Sequence, residues 1–146
     1  MFLSCGDSLY DMFLENLQPN LQVQVNGITG GSPMNVAVGL SRLGHRTGYF
    51  TKLSSDIFGQ GLSRFLQDNS VDTELCLPTD RNTTLAFVNK QADGSANYSF
   101  YTEGTADVSI KEDELPANIP DQYKVLHFGS YSTCLLYTSP SPRDRG

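Results

Sequence analysis

The chain has 146 residues, of which 38% are hydrophobic and 18% charged, with a formal net charge of −6. This suffices for one globular domain with a real core. No apolar run approaches the roughly 20 residues of a membrane helix, and an acidic balance without a basic stripe excludes nucleic acid as the main partner. The opening carries no basic leader, and Cys5, Cys76 and Cys134 show no paired or CxxC spacing, so a reduced, cytoplasmic setting is expected.

Residues 2–5 form a short apolar run, expected as a buried strand, and Asp11 is placed at the C-terminal end of that first strand region, where ligands bind in open α/β sheets. Residues 21–25 alternate apolar and polar, the pattern of a strand with one wet face. A glycine turn, Gly30-Gly31, then feeds a helix over residues 33–43, with Ser32 as N-cap, Pro33 in the first position and Gly44 as the stop. Its expected buried face is Val36, Leu40 and Leu43, with Ala37 beside them.

Residues 47–53 are the next strand candidate, and residues 56–61 a turn into a second helix with Leu62, Phe65 and Leu66 as its stripe. Val71 begins the exit, and residues 73–77 suit another short strand. Two β-rich runs, residues 83–89 and 96–101, flank Asp93-Gly94, a strong hairpin signal. A lone hairpin is marginal in water, so it needs a covering surface from a second subunit or from its own domain. Residues 110–115 suggest a helical turn and residues 123–128 a last strand. The alternation implies an α/β sandwich with a β flap.

The last stretch changes character. Residues 134–146, beginning Cys134-Leu135-Leu136-Tyr137 and continuing through Ser139-Pro140-Ser141-Pro142, read as the in-frame translation of a transposon-type sequencing adapter. They are expected to be a non-native tail and are set apart from the fold, which leaves residues 1–133.

Gly39 and Gly44 have Walker-like spacing, but His45-Arg46 follows and Gly39 lies inside the expected helix, so there is no P-loop. GxGxxG and GxSxG patterns are absent, and His45 and His127 stand too far apart in sequence to suggest zinc. What remains suits a polyhydroxylated small molecule. Asp11 can accept two hydroxyl hydrogen bonds, Asn35 can donate and accept, and Gly30 and Gly31 allow close backbone approach. Tyr98, Phe100 and Tyr101 either cover a pocket or pack along a strand.

These residues, in this order, resemble the ribokinase-like, phosphofructokinase-B group of carbohydrate kinases. Residues 30–37 (GGSPMNVA) are similar to its first signature, residues 6–11 (GDSLYD) to its opening strand and substrate aspartate, and residues 56–59 (DIFG) to its D-x-F-G turn. Phe100-Tyr101, Ala106-Asp107 and residues 126–130 (LHFGS) resemble the fructokinase branch. The resemblance implies a three-layer α/β sandwich with a β-sheet lid and transfer of the ATP γ-phosphate, with Mg²⁺, to a sugar hydroxymethyl group. It implies that Asp11, Gly30, Gly31 and Asn35 bind sugar hydroxyls; separately, the flap surface that needs cover suits pairing of two copies through the lid. Many relatives carry Arg where this chain has Thr102, which favours a neutral sugar such as fructose. The later half of such kinases, with the catalytic aspartate, the glycine-rich anion hole and most of the nucleotide pocket, is not in this sequence. Neither a catalytic residue nor a metal ligand is therefore assigned, and the chain is expected to be inactive by itself. A 2-keto-3-deoxygluconate or nucleoside kinase of the same family, and a non-catalytic sugar-binding module, are the alternative readings.

Overall fold

A computed structural model describes residues 1–15, 22–90, 95–129 and 131 of the chain. The expected tail, Leu21 and the Asp93-Gly94 turn lie outside these described residues. β1 (Phe2–Cys5) pairs in parallel with β4 (Thr47–Phe50) on one side and β9 (Val125–Phe128) on the other. A central parallel strand is covered on both faces, which is why β1 reads as a mostly apolar run broken only by Ser4; Leu3 is 2% exposed. Leu3, Cys5, Phe50 and Tyr123 form one core cluster on this sheet. Buried Ser4 donates to the Pro33 carbonyl at 2.7 Å, so its oxygen receives the Nδ1–H of His127 at 2.9 Å.

α1 (Ser32–Arg42) packs on β1 and β4. Its buried residues are Pro33, Met34, Ala37 and Val38; of the expected face only Ala37 is among them, Val36 and Leu40 are half-buried and Leu43 is 76% exposed. The helix carries two apolar stripes, and packing selects the one containing Ala37, which lets the backbone approach the sheet. Ser41 on the same side donates to the Asn69 carbonyl at 2.7 Å. The end is as expected. Gly44 has φ 86°, its N–H bonds the Ser41 carbonyl at 2.9 Å and the His45 N–H bonds the Leu40 carbonyl at 3.1 Å, a Schellman motif.

The strand candidate at residues 47–53 divides into β4 and β5 (Lys52–Ser54), and β5 pairs with β6 (Leu77–Thr79), which lies later than the expected residues 73–77. α2 (Ile57–Asp68) begins inside the segment expected as a turn, because Asp56 caps it by accepting the Gly59 N–H at 2.7 Å. Leu62 and Leu66 of its expected stripe are buried and join Met34, Ala37, Val38, Tyr49 and Val71 in the main core, with Phe65 packed against them.

The hairpin forms, as β7 (Thr84–Lys90) and β8 (Ala96–Tyr101), antiparallel from Leu85↔Tyr101 to Lys90↔Ala96. It does not stand alone. β2 (Leu9–Glu15) and β3 (Gln24–Gly30) extend it into a four-stranded sheet, β3-β2-β7-β8, so its own domain pairs the β7 edge, while β8 stays exposed along its length. β3 starts three residues later than expected and runs through to Gly30, where a turn was expected. Residues 110–115 contain a single 3₁₀ turn, Glu112–Glu114, tied down by Lys52 Nζ to Glu114 Oε2 at 2.6 Å.

Candidate functional site

An open cleft of about 640 Å³ lies where the lid sheet meets the mouth of α1. Three of the sequence-predicted residues, Asp11, Gly31 and Asn35, line it together. Asp11 reaches it from β2, a strand of the lid, and not from the end of the first strand as expected. The end of β1 instead delivers Asp7. The chain breaks after Cys5 and restarts as β2 in a different sheet, an event that a continuous apolar pattern conceals.

Gly31, not Ser32, is the N-cap of α1, with φ 109°. Ser32 is already helical, and no side chain of the cap residue closes the mouth. The Gly31 carbonyl accepts the Asn35 N–H at 2.9 Å, leaving the Asn35 side chain exposed on the cleft. Both the positive φ and the carbonyl of Asp7, which a Cβ would strike, require glycine here. Gly30 plays a different part. It does not line the cleft; a Cβ there would run into the Asp11 carboxylate, so its missing side chain makes room for Asp11.

Burial raises the pKa of Asp11 above the usual carboxylate range. A residue that the sequence reading did not single out, Asp7, forms part of the cleft wall and is 3% exposed. Burial raises its pKa, the nearby charge of Asp107 adds to this, and the N–H groups of Asp7 and Ser32 oppose it. Asp7 thus reaches the helix mouth that Gly31 leaves open. Asp107 is also buried; its pKa is raised by burial against the hydroxyls of Thr84 and Thr105. The signal for Asp7 was its place just after a buried parallel strand; Asp107 was marked only within the Ala106-Asp107 pair of the resemblance, with no role attached.

Tyr98 and Phe100 stack at 5.9 Å, and Phe100 meets Tyr131 at 5.1 Å, giving the cleft an aromatic wall. Tyr101 points to the other face of the lid, against Phe87 at 5.3 Å, so the two readings of these aromatics divide by strand parity. Among the described residues no group of three or more His, Cys, Asp and Glu is placed to hold a metal. No helix among them is long and apolar enough to cross a membrane.

The profile of the pfkB family carbohydrate kinases matches residues 3–144. The chain belongs to that family. It is 38% identical over 135 residues to a fructokinase of Rhizobium leguminosarum bv. trifolii, covering 90% of this chain and 40% of the relative. The solved fructokinase from Xylella fastidiosa superposes with a TM-score of 0.78 at 29% identity, over 87% of this chain and 40% of that one. The same enzyme with bound ATP gives 0.71 at 30% identity, over 79% and 37%. The chain spans about two-fifths of the length of these relatives. The α/β fold with its lid is thus that of a pfkB-type kinase. A nucleotide with Mg²⁺ does not fit the described residues. The buried carboxylate of Asp7 takes the place at the α1 mouth where a phosphate would be attracted, and no group of three or more His, Cys, Asp and Glu among the described residues is arranged for the metal.

Proposed function

We propose that residues 1–133 are the N-terminal part of a fructokinase-like enzyme that uses ATP and Mg²⁺ to phosphorylate a sugar hydroxymethyl group. In this reading the chain holds the sugar grip and the lid, and the remainder of the enzyme supplies the nucleotide site and the reacting groups. One observation carries it: Asp11, Asn35 and the glycine mouth of α1 converge on a cleft walled by Tyr98 and Phe100. Carboxylate and amide suit hydroxyls, and aromatic faces suit the C–H surface of a sugar ring. The ATP-bound Xylella fructokinase supports the choice of nucleotide.

The same lining favours a neutral sugar over an acid such as 2-keto-3-deoxygluconate, since it presents Asp7 and Asp11 and no cationic residue among the described ones. Catalysis by this chain alone is not expected, because phosphoryl transfer needs positioned donors for the developing charge. We also propose that two copies pair through the lid, whose Val25 and Ile28 are 41% and 51% exposed, and that residues 134–146 are foreign to the gene. The test is calorimetric titration of the chain with fructose and with 2-keto-3-deoxygluconate, beside an ATP-coupled assay of the gene extended past residue 133. Fructose binding by the chain and turnover only by the longer product are expected. Selective binding of the acid, or no turnover of any sugar by the longer product, refutes the reading.

A further inference from the structure

Among the described residues, four buried side-chain oxygens lack a hydrogen-bond partner: Asp7 Oδ1, Ser8 Oγ, Thr51 Oγ1 and Asp107 Oδ2. Their residues are 3%, 2%, 0% and 4% exposed. They share one neighbourhood. Asp7 and Ser8 follow β1, and the Tyr49 hydroxyl on neighbouring β4 donates to the Asp7 carbonyl at 2.7 Å. The Thr51 hydroxyl lies beside that of Tyr49 and can donate to the phenol oxygen; the Tyr49 proton itself goes to backbone carbonyls, so the Thr51 lone pairs stay unused. Asp107 is near enough for its charge to act on both Asp7 and Tyr49. It is held at 2.5 Å by Thr84, which sits opposite Leu9 in the β2–β7 register.

Orphaned buried oxygens are costly, and two buried carboxylates that feel each other cannot both stay ionised without compensation. The N–H groups of Asp7 and Ser32 offset part of the Asp7 charge and those of Asp107 and Val108 part of the Asp107 charge, while three of the chain's cationic side chains are engaged elsewhere. Lys52 binds Glu114 at 2.6 Å, Arg81 the Gly104 carbonyl at 3.1 Å and Arg42 Asn69 at 2.7 Å. The orphan set is all oxygen, two carboxylates and two hydroxyls, which is the donor preference of a hard cation. We propose that Asp7 and Asp107, with the Ser8 and Thr51 hydroxyls, form a receptor for one compact cation, next to the cleft that Asp7 helps to line. The cation is an alkali ion or a guanidinium group. The site does not depend on the sugar reading.

The test is thermal unfolding of the 146-residue chain in potassium, sodium, low-millimolar guanidinium and tetramethylammonium chlorides at matched ionic strength. A saturable rise of roughly 5 °C is expected with a compact cation and none with tetramethylammonium, which is too large. Potassium or sodium giving the rise identifies an alkali site, and guanidinium alone giving it identifies a side-chain-like occupant. Asp107→Asn is expected to abolish the rise and, by removing one of two like charges, to raise the midpoint in tetramethylammonium. Thr51→Val keeps both charges and is expected to weaken the apparent affinity severalfold. Sodium NMR linewidths, narrowed by added potassium or guanidinium, give the same answer without a melting transition. Equal midpoints in all four salts overturn the proposal. So does a cation dependence that survives Asp107→Asn, or a midpoint that follows pH alone, the mark of a shared proton.

Discussion

The two helix mouths of this chain use the same backbone electrostatics for opposite ends. At α2 the cap residue is Asp56, and both of its oxygens are occupied. Oδ1 accepts the Gly59 N–H at 2.7 Å and the Thr83 hydroxyl at 2.7 Å, and Oδ2 accepts the Thr83 N–H at 2.8 Å. Thr83 directly precedes β7, so this mouth is a clasp that fastens the lid to the core. At α1 the cap residue is Gly31 and contributes no side chain; Asp7 reaches in from β1, and Asn35 stands free at a cleft. A capped mouth whose acceptors are all spent builds structure, whereas one served from a distance retains polar groups for a ligand.

The largest test of that difference is Gly31→Ala. The positive φ and the collision with the Asp7 carbonyl act together, and a loss of about 3 kcal/mol or more in urea unfolding is expected. A loss below about 1 kcal/mol would show that the open mouth does not need its glycine.

Asp56→Ala comes next. It removes a cap and two bonds to Thr83, about 2 kcal/mol together, and exchange of the β7 amides is expected to quicken with it. Burial pushes the Asp56 pKa up, but the N–H groups of Gly59 and Thr83 and the hydroxyls of Thr83 and Ser54 outweigh this and hold it below the usual value. Its folded pKa is depressed, so its contribution is complete above about pH 4, the ordinary Asp range, and fades as pH falls through the folded pKa. Asp56→Asn should flatten that acid limb. An unchanged limb would mean that the clasp is not held by charge.

The closed mouth was partly legible in the sequence and the open one was not, for a physical reason. Signals that act within a few residues survive reading: the Gly44 stop, the Leu62 and Leu66 stripe, and the paired runs of the hairpin. Asp56 belongs to the same class, since an aspartate three residues before a glycine N–H is a cap, although the segment was taken for a turn. The α1 mouth is assembled from β1, β2 and β3, which meet only in the folded chain. Ser32 has the better capping chemistry, but the bend needed to bring Asp7 to the helix requires a positive φ one residue earlier. Gly30 was read as backbone for a ligand, and it is an absence of side chain for Asp11. Asp107, distant in sequence from all of these, becomes relevant only through Thr84 and the lid register.

Asn35→Ala sharpens the ligand side of the comparison. Its side chain is exposed and is not needed to cap the helix, so stability should change by less than about 0.5 kcal/mol. Sugar affinity should fall about five- to tenfold, the worth of one hydrogen bond. Because burial raises the Asp11 pKa, affinity should also decline as pH falls, beginning above the ordinary carboxylate range of about 4. Titrations of both proteins across pH separate these effects; a variant that binds as tightly as the parent removes Asn35 from the site.

The smallest effect expected is that of Leu43→Ser, and it tests the helix from the side away from the sheet. Leu43 looked like core by spacing, yet it is 76% exposed, while Val38 on the opposite stripe is 5% exposed. Replacing Leu43 should shift urea unfolding by no more than about 0.5 kcal/mol, whereas Val38→Ala should cost about 2 kcal/mol through the cavity it opens. The contrast depends on which stripe faces β1 and β4. Were Leu43→Ser the costlier change, α1 would be rotated by half a turn, Asn35 would leave the cleft, and the open mouth would have no free amide to offer.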